Sequence, residues 1–284
     1  MPEIDDLEPL QLPGLADYHC HCDYSIDSAG TLDDYCHAAL KRGIAELCFT
    51  THYDSSLGGS GEDNFIRVKG EMLPSGIDSL RYYVEDVRRV GELFYPVGLS
   101  VKLGLEFGWY DGCQRHLAEL MSAFEFDYML CGIHEIFDAC FSCHTSYERC
   151  FAGRSAAEVV SAYAKQIIRA AESGLFDTVA HLDYLRKYGL AHYGDSLDKA
   201  FYDYLPDIFT ALKTTDTALE INTSGLRKGM DSYFPEMKVV NAARKAGVNI
   251  GYIGSDAHQP EDVGFDFDAA AALIPRPVGK CESE

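Results

Sequence analysis

The stretch "LADYHCHCDYSIDSAGTLDDYCHAALKRG" (residues 15–43) contains one complete strand-and-helix unit. Its apolar beginning predicts a β-strand, because short apolar runs bounded by turn residues are typical of buried strands. The second half predicts a helix over residues 31–42. Thr31, with Asp34 three residues later, forms a capping-box pattern at its start, and Gly43 is suited to end it.

The same alternation continues along the chain and decides the fold class. Apolar runs occupy residues 15–21, 46–52, 100–108, 128–134, 177–183, 218–225 and 248–258, and helices are predicted near 31–42, 79–95, 112–123, 155–173, 197–214, 236–246 and 266–273. Repeated strand–helix units imply an α/β fold with a parallel sheet, and seven of them close naturally into a TIM-like barrel. No linker stands out, so we expect residues 1–284 to form a single domain with a core of about 15–275.

The composition excludes several classes of partner. The formal net charge of the chain is −21. Nucleic acids and anionic membranes attract basic surfaces, so we expect neither as a partner. The sequence contains no basic and apolar leader and no apolar run long enough to span a bilayer, and we expect a cytoplasmic protein. The oligomeric state is left open.

The ten cysteines are distributed in two ways. Many lie in apolar runs, which is typical of reduced, buried thiols. "CFSC", from Cys140 to Cys143, has Cys150 nearby and is compatible with a structural zinc site or a redox pair.

The first strand has an unusual concentration of coordinating residues. If residues 15–22 alternate strictly, Asp17, His19 and Asp23 lie near one face with His21 among them. Imidazoles and carboxylates on one face predict a metal site on a packed strand.

Further residues of these types lie at the carboxyl ends of the other predicted strands, or just beyond them, where α/β barrels build their active sites. The nine candidates are His19, His21, Asp27, His52, Glu106, His134, His181, Asp256 and His258. One catalytic zinc takes about three protein ligands, so nine predict two or three ions. Carboxylates bridge ions well, which gives Glu106 that role, and the mixture suits zinc, iron or manganese.

The ordered motifs resemble a known family. They are "DYHCH", "SIDSAGT", "TTH", "GLEFG", "GIH", "AHLDYLRKYG", "LEINTSGLRKG" and "GSDAHQPEDVG". Together they resemble the polymerase-and-histidinol-phosphatase (PHP) superfamily, and within it the bacterial histidinol-phosphatases, from about residue 15 to residue 270. The resemblance implies a distorted (β/α)7 barrel, a trinuclear site of divalent metals, and hydrolysis of L-histidinol phosphate in histidine biosynthesis.

The nine candidates fall at ligand positions of that family, with two departures. The family often has an acidic residue before the histidine of the second strand, where this chain has Thr51. Asp54 is a possible substitute as the carboxylate partner of His52. The position of Asp27 varies between histidine and acid among relatives.

The resemblance also suggests residues for substrate binding and proton transfer. Arg227 and Arg186 are assigned to the phosphate, because guanidinium groups match phosphate oxygens. The alternative for each is a salt bridge on an acidic protein. Asp256 or His258 is assigned to protonate the leaving alkoxide.

Two long loops, 53–78 and 135–154, follow candidate ligand strands and should overhang the site. Their candidates for holding the substrate's ammonium and imidazole are Asp54, Glu62, Asp63, Glu135, Phe137, Asp138 and Tyr147.

Three functions remain open at this stage. The first is a metal-dependent histidinol-phosphatase acting on a small phosphorylated substrate. The second is a PHP phosphoesterase for nucleotides or other phosphomonoesters. The third is a non-catalytic, metal-bearing module, which the complete ligand set disfavours.

Overall fold

The computed structural model describes residues 15–55 and 64–272. The strands are Leu15–Cys20 (β1), Ile44–Phe49 (β2), His52–Tyr53 (β3), Phe65–Val68 (β4), Glu71–Pro74 (β5), Ser100–Gly108 (β6), Tyr128–Gly132 (β7), Glu135–Ile136 (β8), Ala139–Cys140 (β9), Thr178–Val179 (β10), Ala218–Asn222 (β11) and Ile250–Gly254 (β12). The helices are Leu32–Lys41 (α1), Ile77–Phe94 (α2), Gln114–Ala123 (α3), Tyr147–Phe151 (α4), Ala156–Glu172 (α5), Arg186–Tyr193 (α6), Asp195–Thr215 (α7), Ser224–Arg227 (α8), Met237–Ala246 (α9) and Phe267–Ala271 (α10).

Seven parallel strands close into a barrel. Their order around it is β2, β1, β12, β11, β10, β7 and β6, and β6 pairs back with β2. The short strand β3 continues the line of β2 along β6, where His52 lies opposite Glu106. The first and last strands of the barrel are neighbours, with Asp17 opposite Ile253. The predicted α/β class and (β/α)7 barrel are confirmed.

The predicted helices are confirmed at all seven positions, within a few residues at each end. The Thr31 hydroxyl accepts a hydrogen bond from the Asp34 amide, and the Asp34 carboxylate accepts one from the Thr31 amide, so the capping box is formed. Gly43 follows α1 with a φ of +73°, the left-handed conformation that glycine adopts readily. The helices α4, α6 and α8 were not predicted, because each is too short to show a full apolar period.

The strict alternation predicted for the first strand is wrong. The register between β1 and β2 shifts between Asp17 and Cys20, so the side chains there do not keep a period of two. The buried Asp17 carboxylate accepts hydrogen bonds from the amides of Ser255 and Gly264, at 3.0 and 2.9 Å. Asp17 therefore ties the last strand of the barrel to the first and does not share the metal face with His19.

None of the helices in the described part of the chain is long and apolar enough to cross a membrane.

Candidate metal centre

Eight of the nine candidate ligands converge at the carboxyl-terminal rim of the barrel. Their coordinating atoms form four overlapping groups, in each of which the atoms lie within 4.8 Å of one another. The groups are His21/His52/His258, His19/His21/Asp256, His19/Glu106/His181 and His52/Glu106/His134. Adjacent groups share a residue, as expected when neighbouring ions share a bridging ligand or lie side by side.

Glu106 lies at the centre of this arrangement and is fully buried. Its Oε2 lies 2.9 Å from Nδ1 of His52 and 3.3 Å from Nε2 of His19. Its Oε1 lies 3.0 Å from Nε2 of His181 and 3.4 Å from Nε2 of His134. Nε2 of His21 also lies 3.6 Å from Oε2, so each carboxylate oxygen faces a different set of imidazoles, which is the geometry that a bridging carboxylate needs.

Several polar atoms of the rim are buried and, although some lie close to one another, make no hydrogen bond of normal geometry among the described residues. They are Nε2 of His19, Nε2 of His21, Nδ1 of His52, Nδ1 of His181 and Oε2 of Glu106. Buried polar groups are normally satisfied, and each orphan costs about 1–3 kcal/mol. Nitrogen and carboxylate donors are the ligands that zinc, iron and manganese take, so the donor set fits divalent metal ions.

Asp27 stands at the edge of the cluster. It is exposed, and its Oδ2 lies 3.1 Å from Nε2 of His258 and 3.9 Å from Nε2 of His52. It belongs to none of the four groups, although it borders one of them.

The electrostatics of the rim favour ionised carboxylates. Burial alone would raise the pKa of Glu106, but the imidazoles of His19, His52 and His134 outweigh it and hold the pKa well below its usual range. Burial would also raise the pKa of Asp256, and Lys228 together with the imidazole of His19 holds that pKa well below its usual range. Both candidate ligands are therefore anionic at neutral pH.

A second layer of carboxylates orients the imidazoles. Nδ1 of His19 donates to Oε1 of Glu220 at 2.7 Å, which turns Nε2 of His19 toward Glu106. Oε2 of Glu220 accepts the backbone N–H of His181 at 2.8 Å. Oδ1 of Asp54 lies 3.4 Å from Nδ1 of His134, so the predicted partner of His52 is instead placed beside His134. Such partners fix the tautomer and direction of metal-binding imidazoles.

Two rim residues adopt left-handed backbone conformations. The φ angle is +30° at His181 and +53° at Asp256. Such conformations are uncommon for residues other than glycine, and they concentrate at functional sites, where surrounding contacts maintain them. Ser224 donates to Oδ2 of Asp256 at 2.9 Å and helps to hold it.

A cavity of about 460 Å³ opens above the rim. It is lined by Ile26, Asp27, His52, Asp54, Phe65, His134, Cys140, Ser142, Cys143, His181, Tyr184, Lys187, Arg227, Lys228, Asp256 and His258. Both loops that were predicted to overhang the site contribute to this wall. A cavity of this size suits a small-molecule substrate.

Three cations line the cavity. Arg227 donates to Asp262 at 2.7 Å and to the carbonyls of Ser255 and Asp256. The Lys228 ammonium donates a hydrogen bond to Oδ2 of Asp256. Lys187 was missed by the sequence reasoning, as was Lys228. Each lysine directly follows an arginine in the sequence. The arginines were chosen for phosphate binding, and their lysine neighbours were therefore not considered.

Arg186 is not brought to the cavity. Its buried guanidinium donates to Asp198 at 3.0 Å and to Ser232 at 3.2 Å. It also pairs with Asp183 at 3.7 Å and with Glu236 at 3.4 Å. These contacts direct the guanidinium away from the rim, and the geometry favours the salt-bridge alternative.

Of the described loop residues that were predicted to hold the substrate's ammonium and imidazole, one lines the cavity and others pack elsewhere. Asp54 lines the cavity. Tyr147 stacks on Tyr188, and Phe137 is covered by the Arg154 guanidinium. Glu62 and Asp63 lie outside the described residues.

The CFSC segment also lies in the cavity wall, and a disulfide joins Cys140 to Cys143. The bond leaves no thiolate on these two residues for a zinc ion and agrees with the redox-pair alternative. The other seven cysteines in the described ranges, including Cys150, are buried free thiols, as expected from their apolar surroundings.

Comparison with known proteins identifies relatives over nearly the whole chain. A protein of Deinococcus radiodurans named "Probable histidinol-phosphatase" is 31% identical over 280 residues, which cover 94% of this chain and 95% of that protein. The histidinol-phosphatase of Lactococcus lactis is 25% identical, with 91% of this chain and 89% of that protein covered.

Solved structures show the same fold. Histidinol phosphate phosphatase from Lactococcus lactis, crystallised with zinc, L-histidinol and phosphate, superposes with a TM-score of 0.73 at 22% identity, covering 92% of each chain. The family described as "PHP domain" matches residues 17–224, which is most of the chain. The chain belongs to the PHP domain family.

Proposed function

We propose that this chain is a metal-dependent histidinol-phosphatase that hydrolyses L-histidinol phosphate to L-histidinol and phosphate. The observation that carries the proposal is Glu106, whose two oxygens face separate sets of imidazoles beneath a cavity lined by three cations. The names of the relatives supply the substrate.

We propose that the eight clustered residues, with Asp27 at their edge, hold two or three ions of zinc, iron or manganese. Ions held there supply Lewis acidity to the phosphoryl oxygens and lower the pKa of the attacking water. The chain itself contributes orientation, because Glu220 and Asp54 fix the directions of His19 and His134.

Cations of the cavity wall receive the phosphate. Arg227, Lys187 and Lys228 all line the cavity and balance the negative charge of a phosphomonoester. The negative charge of Asp54 and Asp27 on the same wall suits the ammonium at the other end of histidinol phosphate.

Of the two residues assigned to protonate the leaving alkoxide, we favour His258, whose imidazole serves as the acid only while its Nε2 carries a proton and not an ion. Asp256 accepts hydrogen bonds from Ser224 and Lys228, and its lowered pKa keeps it ionised. His258 lines the cavity, and its Nδ1 donates to the Asp256 carbonyl at 3.0 Å, which leaves Nε2 directed toward Asp27. An imidazole whose Nε2 faces the cavity suits proton transfer better than a carboxylate that is already held by two donors.

A phosphate-release assay on metal-loaded protein tests the substrate. The panel is histidinol phosphate, nucleoside monophosphates and an aryl phosphate. We expect kcat/KM for histidinol phosphate to exceed the others by about 100-fold, because buried polar groups of the cavity are left unpaired by wrong substrates. A nucleotide that outcompetes histidinol phosphate would replace this proposal with the nucleotide phosphoesterase.

A matched pair of variants tests the site. Glu106→Gln removes the bridging charge and should lower kcat by at least about 100-fold while reducing the bound metal. Glu46→Gln is the control, because Glu46 is bonded to Tyr18 and Lys102 and belongs to none of the metal groups. Equal activity of the two variants would contradict the proposal.

A further inference from the structure

A bridged turn forms part of the wall of the proposed active site. The disulfide joins Cys140 to Cys143, and both cysteines line the cavity together with Ser142, which lies between them. It is the one disulfide in the described ranges, where the remaining cysteines are buried thiols. The bridge therefore lies where a change in its geometry would alter the cavity wall.

The turn connects a candidate metal ligand to a cation of the cavity. The amide of Phe141 donates to the carbonyl of His134 at 3.0 Å. The carbonyl of Ser142 accepts a hydrogen bond of 2.9 Å from Nζ of Lys187. Because Ser142 lies inside the ring that the disulfide closes, the direction of its carbonyl depends on that ring.

Lys187 is held by neutral groups. Besides the Ser142 carbonyl, its Nζ donates to the Tyr184 hydroxyl at 3.3 Å. Across residues 15–55 and 64–272, no carboxylate lies within 4.0 Å of this ammonium, whereas Lys228 is paired with Asp256. The charge of Lys187 is therefore available to an anion in the cavity, provided that the Ser142 carbonyl keeps it there.

We propose that the Cys140–Cys143 pair is a redox-dependent positioning element for Lys187. As a disulfide, it fixes the Ser142 carbonyl and holds the ammonium at the cavity wall, where it binds the phosphate group of the substrate. As a dithiol, it releases the turn and weakens phosphate binding. The inference rests on the proposed function only in taking a phosphomonoester as the substrate class.

The chemical step balances with a small-molecule disulfide as oxidant. The two thiols lose two protons and two electrons and form one S–S bond, while the oxidant, glutathione disulfide for example, is cleaved to two thiols. Reduction by a dithiol reverses the step. Cys140 is buried, whereas Cys143 is partly exposed in the cavity wall, so the Cys143 sulfur is the accessible point of attack.

The nearby Cys150 is a suitable control. Its buried thiol donates to the carbonyl of Ala139 at 3.2 Å, and burial raises its pKa to about 11. A thiol with so high a pKa is poorly reactive. It lies in the same loop, yet does not take part in the bridge.

The test compares two forms of the metal-loaded enzyme. One is wild-type protein treated with glutathione disulfide, with the bridge verified by intact mass and by protection from alkylation. The other is the Cys140→Ser/Cys143→Ser double variant, which represents the open turn without a reductant that would chelate the metals. We expect the dissociation constant for inorganic phosphate, measured by calorimetry, and KM to be about tenfold higher in the double variant.

Two further measurements make the test specific. In a Lys187→Met background, opening the turn should no longer change phosphate binding, since the two changes act through one contact. Cys150→Ser should bind phosphate as the wild type does in its oxidised form.

Three outcomes would overturn the proposal. They are equal phosphate affinity of the oxidised enzyme and the double variant, an effect that persists without Lys187, and thiols that stay free after glutathione disulfide. The calorimetric measurement needs no turnover. A redox effect on phosphate binding without hydrolysis of histidinol phosphate would therefore fault only the proposed function.

Discussion

The Nδ1 atom of His19 and the Oε1 atom of Glu220 lie 2.7 Å apart, and both side chains are buried. This hydrogen bond joins β1 to β11 across the barrel interior and leaves Nε2 of His19 facing Glu106. Glu220 also accepts the His181 amide. One buried carboxylate thus sets the direction of the His19 imidazole and holds the backbone of His181, a second candidate ligand.

Glu220→Gln should therefore weaken metal binding without removing a ligand. The amide is a poorer acceptor and no longer favours a single tautomer of His19, and loss of such a partner typically costs about 10- to 100-fold in metal affinity. Competition with a metal-buffering chelator measures it. The matched control is Asp177→Asn, because Asp177 accepts the Met129 amide at 2.7 Å at the opposite end of the barrel. Unchanged affinity in the Glu220 variant would mean that the bond only packs the core.

Gly132→Ala should disrupt the site through steric contact alone. A methyl group there would lie 2.7 Å from Oε1 of Glu106 and 2.6 Å from Cε1 of His134. Both side chains would have to move, so we expect bound metal and kcat to fall together, by at least about tenfold.

Gly91→Ala in α2 is the comparison for this variant. Its added methyl group meets nothing closer than 3.7 Å, and the change should stabilise the helix by about 0.5–1 kcal/mol. Elemental analysis and thermal unfolding measure both variants. Full metal content in Gly132→Ala would show that the rim tolerates the displacement.

Arg227→Ala and Arg186→Ala should fail in different ways. Arg227 lines the cavity, and its loss should lower kcat/KM by about 30- to 1,000-fold while the metals stay bound. Unchanged kcat/KM would show that Arg227 serves only as the ion-pair partner of Asp262.

Arg186→Ala leaves the buried Asp183 carboxyl without its cation, whereas Asp198 and Glu236 keep Lys238 as a partner. Unpaired buried charge costs about 3 kcal/mol or more, so we expect a lower free energy of unfolding and nearly normal kcat in the protein that folds. Denaturant titration together with steady-state kinetics separates the two effects. A large loss of kcat without a loss of stability would instead support a role of Arg186 in binding the phosphate.

Thr31→Ala should cost about 1 kcal/mol of unfolding free energy, because α1 loses its cap. The hydrogen bonds from the Thr31 side chain and backbone lower the pKa of Asp34 below its ordinary value of 3.8. This contribution is present above pH 3.8 and is lost as the pH falls through the lowered folded value. Chemical denaturation at pH 7 and pH 3 should show a smaller difference at the lower pH. Ser155→Ala, in the equivalent capping box of α5, should behave alike.

The sequence was sufficient to predict the barrel and to select the rim residues because both depend on local patterns. Each strand is a short apolar run, and each candidate ligand lies at its end or just after it. Parallel strands place those ends on one rim, so the convergence of Glu106 with His181, 75 positions later, follows from topology.

The errors came from features that are not local. Strict alternation misplaced Asp17, because the β1–β2 register shifts within the strand. Arg186 was assigned to the phosphate from the resemblance and from the match between guanidinium and phosphate, and neither takes account of the three carboxylates that surround it in space. Glu220 was overlooked, although a carboxylate between Leu219 and Ile221 in a buried strand is itself a signal of a buried polar partner.

The pairing of β1 with β12 has a consequence for how the protein is made. The group His19/His21/Asp256 joins the first barrel strand to the loop after the last one, and Asp17 reinforces that junction through Ser255 and Gly264. A nascent chain contains His19 and His21 before Asp256 and cannot complete this group until Asp256 has left the ribosome. Capture of an ion by this group would thus follow the synthesis of all seven barrel strands and would hold the first strand to the last one.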